Sequence, residues 1–283
     1  MQGKTALPLS DRQQLVFTGE DRARYLNGQT TNDVVKLEAG HAMHAAVCNA
    51  KGKMQGDIMI AHQGDRLLVD LPLSLADTLP LRLEKYIIAD DVEMLGPEIE
   101  ASDVTGFHLL GDTAPELAKE TECYASSRFN QPGHDIWLPQ ATTPPFPVAT
   151  AAAAEWIRIQ TGTPQWGVDI DENNLPPEAF SEHQTISYRK GCYIGQETIA
   201  RIKSIGRVNK QLCLLQGTSP LEALPLDATS GEKTVGRITS CQSEPDFTGA
   251  IHALGIIQAI HSEPETELVV AGSSWRVIQT FGG

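Results

Sequence analysis

Residues 186–202 read "ISYRKGCYIGQETIARI". Two glycines, Gly191 and Gly195, bracket a cysteine, Cys192, and Lys190 precedes it by two positions. A thiol reacts as its thiolate, and three local features favour that form here. Lys190 supplies a positive charge. Gly195 marks a boundary beyond which "QETIARIKS" reads as a helix, whose N-terminus carries partial positive charge and free N–H groups. The glycines let the backbone approach a ligand closely. The alternative is a small buried apolar residue, because free cysteines are among the most buried residue types. The other cysteines, Cys48, Cys123, Cys213 and Cys241, lie in or beside strand-like or helix-adjacent runs, where core packing is the expected role.

The chain around this stretch is acidic. Its net charge is −14 over 283 residues, which argues against a broad surface for nucleic acid or anionic membrane. Residues 189–210 are the exception, with Arg189, Lys190, Arg201, Lys203, Arg207 and Lys210 against a single acid, Glu197. This run either draws an anionic ligand or forms a solvated helix face. Hydrophobic residues at 41% and charged residues at 20% read as a soluble globular protein with core enough for two or three subdomains. Five scattered cysteines with no C-x-x-C fit a reducing, cytoplasmic compartment. The start, "MQGKTALPLSDRQQ", lacks the basic and apolar regions of a signal peptide. The most apolar region, "RLLVDLPLSLADTLPLRL", is broken by charges and two prolines, so no membrane span is expected. No exposed apolar stripe is evident, which points to a monomer.

Along the chain, "QQLVFT" and "HAAVCN" read as strands, and "GEDRARYLNG" as a short helix ended by Gly28. "QGDIMIAHQGDRLLVDLP" reads as a hairpin turning at Gly64-Asp65. "SLADTLPLRLEKYII" reads as a helix limited or bent by Pro80. The strands "DVEML", "EIEASDV" and "GFHLLG" follow, then an exposed helix, "TAPELAKETE". "LPQATTPPFPVAT" is a Pro-rich connection, and "TAAAAEWIRIQTG" a helix stopping at Gly162. After residue 206 come "RVNKQLCLLQG", "KTVGRITSCQ", "GAIHALGIIQAI", "ETELVVAG" and "SWRVIQTF", with Gly, Ser and Pro between them. That is all-β text, and closure into a small barrel removes its edges. The expectation is an α+β body over 1–205 and a β-barrel domain over 206–283.

No G-x-G-x-x-G, Walker-type loop or G-x-S-x-G elbow occurs. His41 and His44 have no third ligand nearby in sequence, so no metal site is expected. "RIQTGTPQWGVDIDENNLPPEAF" is the other dense stretch. Trp166 on this loop could stack on a planar heterocycle while carboxyl or amide groups read ring nitrogens, or it could pack on the body of an acidic surface loop.

Four stretches together carry a family resemblance: "RYLNGQTTNDV", "CNAKGKMQGDIMI", "RIQTGTPQWGVDI…LPPEA" and "ISYRKGCYIGQETIARI". In this order, and over most of the chain, they resemble the YgfZ-type folate-binding proteins, relatives of the glycine-cleavage T-protein (an aminomethyltransferase) and of mitochondrial iron–sulfur assembly factors. "KGCYIGQE" is the specific element. The resemblance implies a cloverleaf of three subdomains, two intertwined α+β and one C-terminal β-barrel. It implies a bound tetrahydrofolate or one-carbon derivative, and a role in assembling or repairing iron–sulfur clusters in client enzymes, including tRNA-modifying ones. Cys192 is then the reactive residue with Lys190 beside it. Gly191, Tyr193, Gly195, Gln196 and Glu197 complete the motif. Gln160, Trp166, Glu178 and Arg201 are the expected folate contacts.

One departure is Gln160, where the family commonly has glutamate. A neutral amide donates and accepts but cannot form a charge-assisted bond to the pterin amino group, so the task could shift to Glu178. The folate-activating carboxylate of the T-protein has no assigned counterpart in this chain; Asp70 and Asp77 are possible by spacing alone. The T-protein also tends to show paired acids where this chain has Gly56-Asp57. Both points argue against simple aminomethyl transfer, and the expectation is a protein that is not a conventional multiple-turnover enzyme. A folate-dependent one-carbon or aminomethyl transferase, and a scaffold that has lost folate, stand as alternatives.

Overall fold

The computed structural model describes residues 4–96, 104–111, 123–140, 142–206 and 208–282. The strand read at "EIEASDV" (all but Val104), the helix read at "TAPELAKETE", and Arg207 lie outside the described residues. The chain divides into two compact units, one of residues 1–150 and 184–196, the other of 151–183 and 197–283. No described helix is long and apolar enough to cross a membrane.

The first unit holds β1 (Thr5–Pro8), β2 (Arg12–Thr18), β3 (Ala42–Cys48), β4 (Met54–Gln63), β5 (Arg66–Pro72), β6 (Glu93–Leu95), β7 (Val104–Leu110), β8 (Cys123–Ser126) and β9 (Gly133–Pro139). They form two sheets, ordered β3-β4-β5-β2-β6 and β1-β7-β9-β8, with every described neighbour antiparallel. The β4–β5 hairpin turns where expected: Gln63 pairs with Arg66, and Gly64 takes the positive φ of +56° that such a turn requires. Alternation along β2 sends Leu15 and Phe17 into a core with Tyr25, Leu26, Leu79 and Leu83. Val16, on the other face, packs with Ala61, Leu68 and Tyr124 of β8, joining the sheets.

Two helices differ from expectation. α1 (Arg22–Gln29) runs through Gly28, because its C-terminal carbonyls find partners far along the chain. The long helix read over residues 74–88 is a single-turn 3₁₀ segment, Leu73–Leu75, followed by α2 (Leu79–Glu84). Pro80 sits in the first turn of α2, where its missing N–H costs nothing.

The second unit holds α3 (Ala151–Gln160), α4 (Pro176–Ala179), and a closed barrel of β10 (Lys210–Gly217), β11 (Leu226–Ser230), β12 (Lys233–Cys241), β13 (Ile251–Gln258), β14 (Glu267–Val270) and β15 (Ser273–Thr280), in the order β10-β13-β12-β11-β14-β15. Two further helices, α5 (Glu182–Thr185) and α6 (Gln196–Ile205), cross the division. Leu215, Ile238, Ala253, Trp275 and Val277 fill the barrel. Ile159 of α3 packs on its wall against Leu212, Leu214 and Leu254. The sequence reading shows no strand at β1, β8 or β9 of the first unit, nor at β11 of the barrel: "LDATS" follows Pro225 and carries β-depleted Asp227, and its pairing to β12 and β14 holds it in place.

Candidate functional site

The motif segment lies on the end of α1. Asn27's carbonyl would ordinarily receive the N–H of Thr31, but that N–H donates to Ala46 O. The orphan carbonyls of the helix end are met instead by the motif. Ile194 N–H donates to Gly28 O at 3.2 Å, and Ser187 N–H to Thr31 O at 2.9 Å. The Lys190 ammonium donates to Asn27 O at 2.6 Å, to Thr30 O at 2.7 Å, and to Asn32 O. Its Nζ also stands 5.0 Å from the centre of the Tyr193 ring. Side chains complete the seat: Thr31 Oγ1 donates to Thr185 O, and Asn32 Nδ2 to both His44 O and Gln184 O. His44 itself bonds Thr185 Oγ1 through Nδ1 and Asp57 through Nε2. "RYLNGQTTNDV" and "ISYRKGCYIGQE" are therefore one structural object.

Burial pushes Lys190 down to about 7. Three carbonyl acceptors and the C-terminal end of a helix dipole oppose that fall, because all of them favour the protonated form. The three N–H bonds of the ammonium are thus committed to backbone.

Gly191 and Cys192 are exposed, whereas Tyr193 and Gly195 are buried. Gly195 has φ +90°, and α6 begins at the next residue, Gln196, with Glu197 exposed in its first turn. The other four thiols are buried or half-buried. Burial pushes Cys48 and Cys213 up to about 12 and Cys123 to about 11, and raises Cys241 as well. A raised thiol is protonated at neutral pH and a poor nucleophile.

The expected folate residues fall in the second unit. Gln160 ends α3, and its Nε2 is buried with no hydrogen-bond partner among the described residues. Trp166 is half-buried on the following loop, paired as a bridge with Ile170. Glu178 is buried, and its Oε2 accepts Leu175 N–H at 2.9 Å, with Asn174 Nδ2 at 3.4 Å and Lys210 Nζ at 3.8 Å. That carboxylate closes the first turn of α4. Arg201 is exposed on α6. The basic run is largely occupied: Lys203 pairs with Glu182 and Lys210 with Glu178, while Arg189 and Arg201 stay exposed.

Two buried ionic networks escaped the sequence reading. In the second unit, Arg158 donates to Asp169 Oδ2 at 2.6 Å, Ser240 Oγ at 2.6 Å and Thr163 O at 2.8 Å. Asp169 Oδ1 accepts from Ser240 and Thr239 of β12, tying α3 and its loop to the barrel. In the first unit, Arg12 donates to Asp70 at 2.6 Å and Asp57 at 3.1 Å. Arg128 donates to Asp70 and, at 2.8 Å, to Asp135. His108 Nδ1 bonds Asp135 at 2.7 Å. His44 and then Arg12 hold the Asp57 carboxyl, and Arg128 and then His108 that of Asp135, well below the usual carboxylate range, despite burial. Asp70 is thus clasped by two guanidinium groups, and Asp77 is exposed. Only pairs of opposite charge 7 to 58 residues apart hinted at this, and pattern has no means of choosing them.

No protein-family model matches the chain. The structure resembles the glycine cleavage system aminomethyltransferase T of Bartonella henselae, with a TM-score of 0.79 at 14% identity, over 98% of this chain and 85% of that one. The fold is therefore that of aminomethyltransferase T, with a C-terminal six-stranded barrel. Among sequences, the chain is 28% identical over 292 residues to the tRNA-modifying protein YgfZ of Vibrio vulnificus strain YJ016, covering 94% of this chain and 87% of that protein. It is also 30% identical over 241 residues to the protein of the same name in Klebsiella pneumoniae strain 342, covering 76% of this chain and 72% of that protein. On that identity and coverage, the chain belongs to the YgfZ family.

Proposed function

We propose that this protein binds tetrahydrofolate, or a one-carbon derivative of it, and supports the assembly or repair of iron–sulfur clusters in client enzymes, tRNA-modifying enzymes among them. Residues 1–205 form the folate-binding body in this reading and 206–283 the barrel. The protein acts as a cytoplasmic monomer on protein clients, without binding nucleic acid directly. The observation that carries the reading is the contrast among thiols: Cys192 is exposed on a clamped loop, and the others are raised by burial. A thiolate role needs an accessible sulfur held in one place. The names of the relatives supply the link to tRNA modification.

The fit of a pteridine is supported by Gln160. A buried amide N–H without a partner is costly, and a ring carbonyl or ring nitrogen of a ligand would satisfy it. Trp166 offers an aromatic face nearby in sequence, and Arg201 a charge for an anionic tail. Glu178 is a weaker candidate, because its Oε2 serves α4. The arginine clasp on Asp70 counts against the transferase alternative, which needs a carboxylate free to act at the folate.

Cys192→Ser is expected to keep the melting temperature and the calorimetric affinity for tetrahydrofolate, and to abolish activity. Activity is read as restoration of iron–sulfur-dependent tRNA modification in cells lacking their own family member. A variant that loses stability in step with activity would make Cys192 a packing residue. Gln160→Leu removes one neutral hydrogen bond and is expected to weaken tetrahydrofolate binding about tenfold by calorimetry. Unchanged affinity would remove Gln160 from the site.

A further inference from the structure

Asn27 O, Thr30 O and Asn32 O converge on one point at the end of α1, and the object at that point is the Lys190 ammonium. The fourth side is the Tyr193 ring, whose face attracts cations. Each of the three carbonyls comes from the segment "NGQTTN", and the lysine reaches them from 158 to 163 residues away. Three carbonyls and an aromatic face are the surroundings of a small monovalent cation. The charges packed nearby fit this. Asp33 favours the ammonium electrostatically and pairs with Lys36 at 2.8 Å.

We propose that these carbonyls form a monovalent-cation site whose cation is built into the chain, and that Lys190 acts through it as the positioning residue of the Cys192 loop. The ammonium has three donors for three acceptors, so it satisfies the ring completely and draws the loop onto α1. The two backbone bonds that flank it, from Ser187 and Ile194, close on the same helix end. An arginine would not replace it, because a planar fork cannot meet three acceptors converging on a point. The inference does not depend on folate.

The test is chemical rescue. Lys190→Ala deletes three methylenes and the ammonium, which propylammonium restores as a free molecule. In the variant, amide hydrogen exchange at Ser187 and Ile194 is expected to quicken at least tenfold. Millimolar propylammonium should slow it again in a saturable way, propan-1-ol should not, and Lys190→Arg should exchange like the alanine variant. Exchange unchanged by the mutation, or equal rescue by propylammonium and propan-1-ol, would overturn the proposal. If Lys190→Ala does not fold, reductive methylation of the wild-type protein decides. Lys190 is expected to react at least tenfold more slowly than exposed Lys51, and equal rates would overturn the assignment.

Discussion

Arg128→Met is expected to destabilise the protein by about 3–5 kcal/mol, the usual cost of removing one partner from a buried ion pair. Arg128 is buried and donates to Asp70 on β5 and to Asp135 on β9, so it joins the two sheets of the first unit electrostatically. Methionine keeps most of the volume, which leaves the charge as the main loss. Asp70 retains Arg12, but among the described residues Asp135 retains only the His108 ring, and His108 Nε2 has no partner there. Arg128→Lys should recover part of the loss, since it restores the charge but not the two-pronged geometry. Urea unfolding measures both, and a Met variant within about 1 kcal/mol of wild type would show the network to be worth no more than a surface pair.

The same network gives acid sensitivity. Asp57 and Asp135 have folded-state pKa values below the ordinary carboxylate value of about 3.9. A depressed carboxylate contributes stability that is complete above its unfolded pKa and is lost as pH falls through the folded one. Wild-type stability should therefore decline from about pH 5 downward. In Arg128→Met the part belonging to Asp135 shrinks, so the decline becomes shallower.

What pattern could and could not reveal follows from the distances involved. Five of the six barrel strands were legible, because runs such as "TVGRITSC" and "AIHALGII" are β-rich and punctuated by glycine and serine. The Gly64-Asp65 turn was legible because two residues between paired strands need a positive φ. The end of α1 was not, because no residue near Gly28 announces that Lys190 and Ile194 will finish the helix. The motif cysteine was marked by its neighbours, yet the lysine beside it faces carbonyls more than 150 residues away. The two-arginine clasp on Asp70 is of the same kind: each partner lies 58 residues away, on opposite sides in sequence. Local pattern reports what a residue prefers; these contacts report what the fold brings to it.

Gly195→Ala is expected to cost about 2–5 kcal/mol, combining strain at a forbidden dihedral with overpacking. Its φ of +90° lies where side chains are rarely found. A Cβ there would stand 2.6 Å from Asn49 O, 3.1 Å from Cys48 Cβ and 3.1 Å from Gly52 Cα. Two of those three atoms are backbone, so no side chain can swing aside. The turn 49–53 is itself fixed by Asn49 Oδ1, which accepts from Lys51 and Lys53 N–H groups. Relief must therefore come from lifting the motif loop, which breaks the Ile194 bond to Gly28 O and displaces Cys192. Gly191 is the internal control. Its φ is ordinary, and a Cβ there meets only Asn27 Nδ2, at 4.0 Å. Gly191→Ala should stay within about 0.5 kcal/mol of wild type. Urea unfolding of both variants, with alkylation of Cys192, measures the contrast: Gly195→Ala unfolds at lower urea with an altered alkylation rate, and Gly191→Ala matches wild type. Equal stability of the two variants would mean that Gly195 is not what holds the loop against residues 48–52.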